Sequence, residues 1–329
     1  MPKIIFYFFI LLLLSCTQVT EIALPEPSKL LVINGFFCPD SAWKIQISVP
    51  DKVSNPTPIL AGFEGATVEL WEEGVSLGKL QPIGQGYYSL PNQKPKLGKH
   101  YTIQAAAVGY PTAEAESYVP DSVVNVISAG VDWNNAIPTI TIYGEPTSVH
   151  NMKIDFVEPQ GKGNFYYLSF YYYDSLSDAD GGGSNPLYPY KHPFWVIPND
   201  PVINPLSSQI NYILFNDIEI EGNRHTLRTQ LWDWTKHGMQ TYSDSREPNN
   251  FRYISIDPPK ENYLEVYADF QNVSPEMYQF IASYYVQARN FTDPFAIYSN
   301  VYSNVTGGRG IFAGYTSRQV LIFKGKIGY

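Results

Sequence analysis

Apolar and polar positions follow three patterns along this chain: an unbroken apolar run at its start, a long series of short alternations, and one helical repeat near its end. The run extends from Ile4 to Leu14, with Lys3 before it and Ser15 and Cys16 after it. It is shorter than the roughly 20 residues a bilayer-spanning helix needs, and its basic flank and small closing residues predict a cleaved secretory signal. The polar, proline-bearing stretch from Thr17 to Ser28 has no periodicity and reads as a tether. Lys29 to Gly35 then predicts a strand ending at glycine. Trp43, Ile45, Ile47 and Val49 alternate with Lys44, Gln46 and Ser48, and Tyr101, Ile103, Ala105 and Ala107 with Thr102, Gln104 and Ala106. That is the period of strands with one buried face. Gly65 to Gly74 and Gly84 to Pro91 read as two more.

Beyond Tyr118-Val119-Pro120-Asp121-Ser122, read as a linker, the pattern stays that of strands while the loops lengthen. Strands are expected at Thr139 to Tyr143, Met152 to Val157, Phe165 to Tyr173, Ile210 to Phe215, Thr226 to Leu231, Tyr263 to Ala268 and Arg318 to Phe323. In the third, both alternating sets are apolar or aromatic, which predicts a central strand covered on both sides. Asp174 to about Ser208, rich in Gly, Pro, Asn and Tyr, predicts a long irregular excursion and a contact surface. Ser274 can cap a helix, Pro275 suits its first position, and Met277, Phe280, Ile281, Tyr284 and Ala288 fall on one face. A helix near 274–290 should therefore lie on a sheet. The expected organisation is a signal at 1–15, a tether at 16–28, a β-sandwich at 29–120 and a larger mostly-β domain at 121–329 carrying the helix. The first domain resembles immunoglobulin-like and carboxypeptidase-regulatory-like β-sandwiches.

Composition agrees. Twenty-six tyrosines and twenty-six prolines favour pleated, half-buried surfaces joined by many turns, hence a mostly-β chain. The formal charge of -9, which becomes -10 when Lys3 leaves with the signal, is relieved by no run of Lys or Arg. Nucleic acid and electrostatic adhesion to anionic lipid are thereby disfavoured. If Cys16 carries lipid, Cys38 has no disulfide partner and should be a small buried residue at a strand end. The five histidines lack metal-ligand spacing, and His225 and His237, flanking Trp232-Asp233-Trp234, are expected at the surface. Asp178-Ala179-Asp180-Gly181 echoes a calcium loop without its third ligand or closing glutamate. With no P-loop, nucleophile elbow or dinucleotide fingerprint, no metal and no cofactor is expected, and the chain reads as a non-enzyme. A hydrolase built on two carboxylates stays open, since carboxyl separation is invisible in a sequence. Trp232 and Trp234 share a side if extended, and Trp195 sits with Tyr188 and Tyr190 in the long excursion. These are candidate stacking positions for a glycan or a hot spot for a peptide or protein, the alternative being that they fill a core.

Leu13-Leu14-Ser15-Cys16 resembles the bacterial lipobox, in which Cys16 would be acylated and become the mature N-terminus. Several acyl chains would make the attachment permanent. With that tetrad, Leu31-Val32-Ile33-Asn34-Gly35 followed by Pro39-Asp40-Ser41, then Asn164-Phe165-Tyr166-Tyr167, Phe215-Asn216-Asp217, Ser274-Pro275-Glu276-Met277-Tyr278, Asp293-Pro294-Phe295 and Asn304 to Gly314 are similar to a family. It is the Bacteroidota outer-membrane lipoproteins that carry a domain of unknown function, number four-two-four-nine. The resemblance implies an envelope protein beside TonB-dependent β-barrel transporters, with an accessory role in uptake and no assigned catalytic residues. Thr17 after Cys16 supports the outer membrane, while Glu21, the sole nearby acidic residue before the tether's prolines, leaves the membrane face undecided. The triplets Asp40-Ser41-Ala42, Asp121-Ser122-Val123 and Asp174-Ser175-Leu176 resemble the O-glycosylation signal of that phylum, making Ser41, Ser122 and Ser175 candidate acceptors.

Overall fold

The computed structural model describes residues 29–50, 62–140, 146–161, 163–174, 191–194, 196–204, 212–232, 239–243, 251–255, 262–290 and 300–327. The first strands are β1 (Val32–Phe37), β2 (Trp43–Ser48), β3 (Thr67–Glu72), β4 (Val75–Lys79), β5 (Gln81–Gly84), β6 (Tyr87–Leu90), β7 (His100–Ala106) and β8 (Ala113–Tyr118). There follow β9 (Asn125–Val131), β10 (Ile137–Ile140), β11 (Pro146–Val157), β12 (Phe165–Asp174), β13 (Lys191–Pro193), β14 (Val196–Pro198), β15 (Tyr212–Asn216) and β16 (Arg224–Trp232). The hairpin β17 (Met239–Ser243) and β18 (Phe251–Ser255) precedes β19 (Asn262–Val273), helix α1 (Pro275–Asn290) and β20 (Arg309–Ile327). The fold is mostly β, with one helix among the described residues.

The largest sheet runs β13-β12-β19-β20-β1-β2-β6-β5, and β15 shares an edge of β12 with β13. Its pairs are antiparallel except β1 with β20, which run parallel from Val32 opposite Arg309 to Phe37 opposite Gly314. Parallel neighbours need a crossover. Here the crossover is nearly the whole chain.

Two smaller sheets cover one face of this sheet. The first, β4-β3-β7-β8, closes a sandwich whose core includes Ile33, Trp43, Ile45, Val68, Tyr101, Ile103 and Phe312. The strand completing that sandwich thus comes from the far end of the chain. The second, β10-β11-β16-β14 with β9 also on β11, encloses Ile154, Phe156, Tyr166, Phe170, Phe215, Phe270, Val320 and Ile322. Period-two alternation explains how β20 serves both: Phe312 and Val320 turn to the sandwich cores, while Ile311 and Ala313 turn to the opposite face, where α1 packs.

Several expectations change. The excursion from 174 contains two short strands, β13 and β14, each paired with a longer neighbour, although most of its length lies outside the described residues. β8 and β9 are additional strands. Residues 118–122, read as a linker, are packed: Val119 is fully buried, and Asn272 and Thr316 both donate to Ser122. On α1 Met277 and Ile281 are buried against the sheet and Tyr278, Phe280, Ala282 and Tyr285 are partly buried beside them, with Tyr285 against Tyr212 at 4.0 Å, while Tyr284 and Ala288 face outward. The sheet takes the helix about one residue further round than the apolar count implies. Cys38 is buried directly after β1, with a free thiol.

The β1–β20 approach requires glycine at 310, where φ is +112° and an added Cβ would sit 2.1 Å from the Ile33 carbonyl oxygen. Gly310→Ala should cost about 3 kcal/mol or more in urea denaturation, combining backbone strain with a broken strand pair. Gly109→Ala, with φ +84° but nothing within 4 Å, should cost only about 1 kcal/mol. Equal costs would show that the parallel pair is not what glycine protects.

Candidate functional site

Strand β8, the first turn of α1 and residues 300–306 enclose a cleft of about 430 Å³, lined by Glu114, Ala115, Glu116, Glu276, Tyr302, Asn304 and Thr306. Along β8, Ala113, Ala115 and Ser117 turn inward and Glu114 and Glu116 outward. Two carboxylates therefore leave one face about 7 Å apart along the strand. The third arrives through the helix cap: Met277 N donates to Ser274 Oγ at 3.4 Å, Pro275 follows, and Glu276 completes the acidic first turn. A carboxylate there is favoured by the positive end of the helix dipole.

The walls of the cleft are tied together by hydrogen bonds. Ser117 Oγ lies 2.8 Å from Glu276 Oε2 and 3.1 Å from Ser274 Oγ, and Gly314 N donates to it at 3.4 Å. Asn304 Nδ2 donates to the carbonyls of Glu116 at 3.0 Å and Phe312 at 2.7 Å, while its Oδ1 accepts from Phe312 N at 3.0 Å. Thr306 and Glu114 exchange both backbone hydrogen bonds. Residues 300–306 thereby cover the open edge of β8. Among the described residues, none of the three carboxylates has a cationic partner, so the cleft presents uncompensated negative charge that attracts cations or amines. Burial, with Glu276 beside it, pushes the Tyr302 hydroxyl above its ordinary range.

Other polar clusters hold the second sandwich. The buried Glu158 accepts from Asn164 Nδ2 at 2.8 Å, Tyr166 OH at 3.0 Å and Gly222 N. Burial, then the neighbouring Glu158, drives the Tyr166 hydroxyl far above its usual range. Asp217 accepts from Asn164 N at 3.0 Å. Asp200, its side chain wholly enclosed, accepts from Arg228 N at 3.1 Å and meets His225 Nε2 at 3.3 Å. His225 is thus a largely enclosed residue of β16, not the surface histidine its position near a loop implied; His237 lies outside the described residues. Asp155 accepts from Ser128 Oγ at 2.8 Å and from Thr226 Oγ1, with Arg224 Nη2 3.5 Å away. The hydroxyl donors, Thr226 first, hold its carboxyl below the ordinary aspartate range.

The expected site residues are placed as follows. Trp232 is half-buried at the end of β16, opposite Val149. Trp195, Trp234, Tyr188, Tyr190, Ser175, Cys16 and the turn Asp178 to Gly181 lie outside the described residues. Ser41 is exposed in the β1–β2 turn with its Oγ 3.5 Å from Cys38 Sγ, and Ser122 Oγ accepts from Asn272 Nδ2 at 3.2 Å. Many described aromatic rings fill cores, Trp43, Tyr88, Tyr101, Tyr166 and Phe270 being almost wholly enclosed. The carboxylate cleft was not foreseen. Its only trace in the sequence is the alternation of Glu114 and Glu116 with small residues.

Asn304→Ala should lower stability by about 2–4 kcal/mol in chemical denaturation, because it strands backbone groups of two strands at once. Asn304→Asp should be at least as harmful, since its carboxylate would face the carbonyls of Glu116 and Phe312. Asp155→Asn tests the pH dependence. The folded-state value of Asp155 lies below its unfolded value, so its contribution is complete above about pH 4 and is lost as pH falls through the lowered value. The stability gap between Asp155→Asn and the wild type should therefore close on acidification below about pH 4; a constant gap would remove the titration from the account.

No curated protein sequence matches the chain. A crystal structure from Corynebacterium diphtheriae, of a protein described as membrane anchored, aligns at 10% identity and a TM-score of 0.19, over 74% of this chain and 55% of that one. The chain spans about half the length of that structure, and at such a score the likeness carries no argument. The family model described as "Domain of unknown function (DUF4249)" matches residues 18–320, nearly the whole of the described body, and the chain belongs to that family.

Proposed function

We propose that this chain is a lipid-anchored cell-envelope protein that acts by binding, as a non-enzymatic accessory of outer-membrane, TonB-dependent transport. The observation that carries the reading is Leu13-Leu14-Ser15-Cys16 at the close of a short apolar run, followed by a polar stretch and then the β body. Acyl chains on Cys16 would contribute roughly 0.8 kcal/mol per buried methylene, enough together for a lasting hold. The association with a transporter is supported by the resemblance to Bacteroidota envelope lipoproteins. Glu158, Asp200, Asp155 and Asn304 are occupied in joining strands and loops.

Mass spectrometry of the mature protein should find Cys16 at the N-terminus carrying a diacylglyceryl thioether and an amide-linked chain. Cys16→Ser should release the protein from membranes, and mild solubilisation of the wild type should recover a β-barrel partner. A free, unmodified thiol at Cys16 overturns the anchor. Repeated recovery without a barrel overturns the accessory role.

A further inference from the structure

The outer face of the largest sheet, opposite the two smaller sheets, is covered by α1 along β20 and its neighbours and carries an aromatic surface beside the helix. On β1 the alternation sends Ile33 and Phe37 into the first core and leaves Phe36 45% exposed on the other face. Its ring lies 5.8 Å from that of Phe280 on α1, and Phe280 stacks at 18° on Tyr284, which is 52% exposed. In the β1–β2 register Val32 faces Ser48 and Asn34 faces Gln46, so its continuation sets the exposed Lys44 beside Phe36. Lys44 Nζ in turn sits 4.4 Å over the ring of Tyr87 on β6. Tyr284, Phe280, Phe36, Lys44 and Tyr87 thus form one strip of rings, with hydroxyl tips, one ammonium and no carboxylate. Aromatic bodies with polar tips and a lysine that can extend its head into water are the chemistry of the headgroup layer of a bilayer.

Distance from the anchor selects the occupant. Phe36 lies seven residues after Lys29, within about 25 Å of the point where the preceding segment joins the body. Twelve residues separate Cys16 from Lys29, a length that spans at most about 45 Å. Acyl chains on Cys16 therefore keep the strip within reach of the same bilayer, at an effective concentration of millimolar order, where even a weak surface contact is populated. We propose that Phe36, Lys44, Tyr87, Phe280 and Tyr284 rest in the headgroup layer of a zwitterionic phospholipid bilayer, so that the anchored body lies on the membrane by this face. The formal charge of -9, or -10 once Lys3 has left with the signal, gives no general attraction to anionic lipid. The contact is ring insertion, with Lys44 paired to a phosphate. This inference rests on the lipid anchor proposed above.

The test uses full-length lipidated protein in phosphatidylcholine–phosphatidylethanolamine vesicles, with a fluorophore on a thiol introduced by Phe36→Cys, Tyr284→Cys or, on the far side of the first sandwich, Val75→Cys, a site 69% exposed. Each variant must keep the wild-type melting transition, and Cys38 is buried away from the label. A headgroup-labelled phospholipid quencher should quench positions 36 and 284 at least fivefold more than 75, and Lys44→Glu should reduce that quenching at least twofold. Equal quenching at all three positions, or stronger quenching at 75, overturns the contact. Shielding of 36 and 284 that occurs only when a β-barrel protein is added assigns the strip to a protein and overturns it too. Mass spectrometry of the same samples reads the acyl chains on Cys16, so a missing anchor, which defeats both proposals, is distinguished from an anchored body lying on another face.

Discussion

Six backbone pairs between the first strand and the last hold this molecule together. From Val32–Arg309 to Phe37–Gly314, β1 and β20 run side by side, and the sheet they complete is shared by both sandwiches. The approach is close enough to dictate composition. An added Cβ at Gly308 would meet the Leu31 carbonyl oxygen at 2.5 Å, and one at Gly314 would meet that of Tyr118 at 2.2 Å. Residues Gly307 to Gly314 are where the last strand is let in against β1 and β8. Pairing across so long a separation is slow to find, because the loop-closure entropy must be met before any contact is gained.

Polar residues make this arrangement specific. Asn304 serves three backbone groups from two strands, Ser274 caps α1 while its N–H reaches Gly314, and Asn272 and Thr316 grip the chain where it passes from β8 to β9. Each lies in or next to a stretch that carried the family resemblance, and so do Asn164 and Asp217 at the other end of the large sheet. In this structure these polar residues hold the fold.

The sequence made some of this legible and not the rest, for physical reasons. Trp43 to Ser48 and His100 to Ala106 alternate strongly because one face of each is enclosed, and Ser274-Pro275-Glu276 starts a helix by local chemistry alone. β8 was missed because its inward positions are Ala113, Ala115 and Ser117, too small to stand out against Glu114 and Glu116. The parallel closure left no local mark, since register between strands at opposite ends of the chain is set by packing. Two adjacent tyrosines, 284 and 285, could not reveal which one turns inward; the sheet beneath decided in favour of Tyr285 through Tyr212. The cleft draws its carboxylates from positions 114, 116 and 276, which only the folded chain unites.

The shared last strand also has a consequence for biogenesis. A polypeptide synthesised from its N-terminus presents β1 early, yet the neighbour that β1 requires, from Arg309 onward, emerges only after every other described strand. Until then Ile33 and Trp43 lack Phe312, and one edge of the first sandwich stands open. A product truncated anywhere before Arg309 would remain in that state permanently, marked for proteolysis by its own unpaired edge. Completion of the first sandwich thus reports that synthesis has passed Gly314.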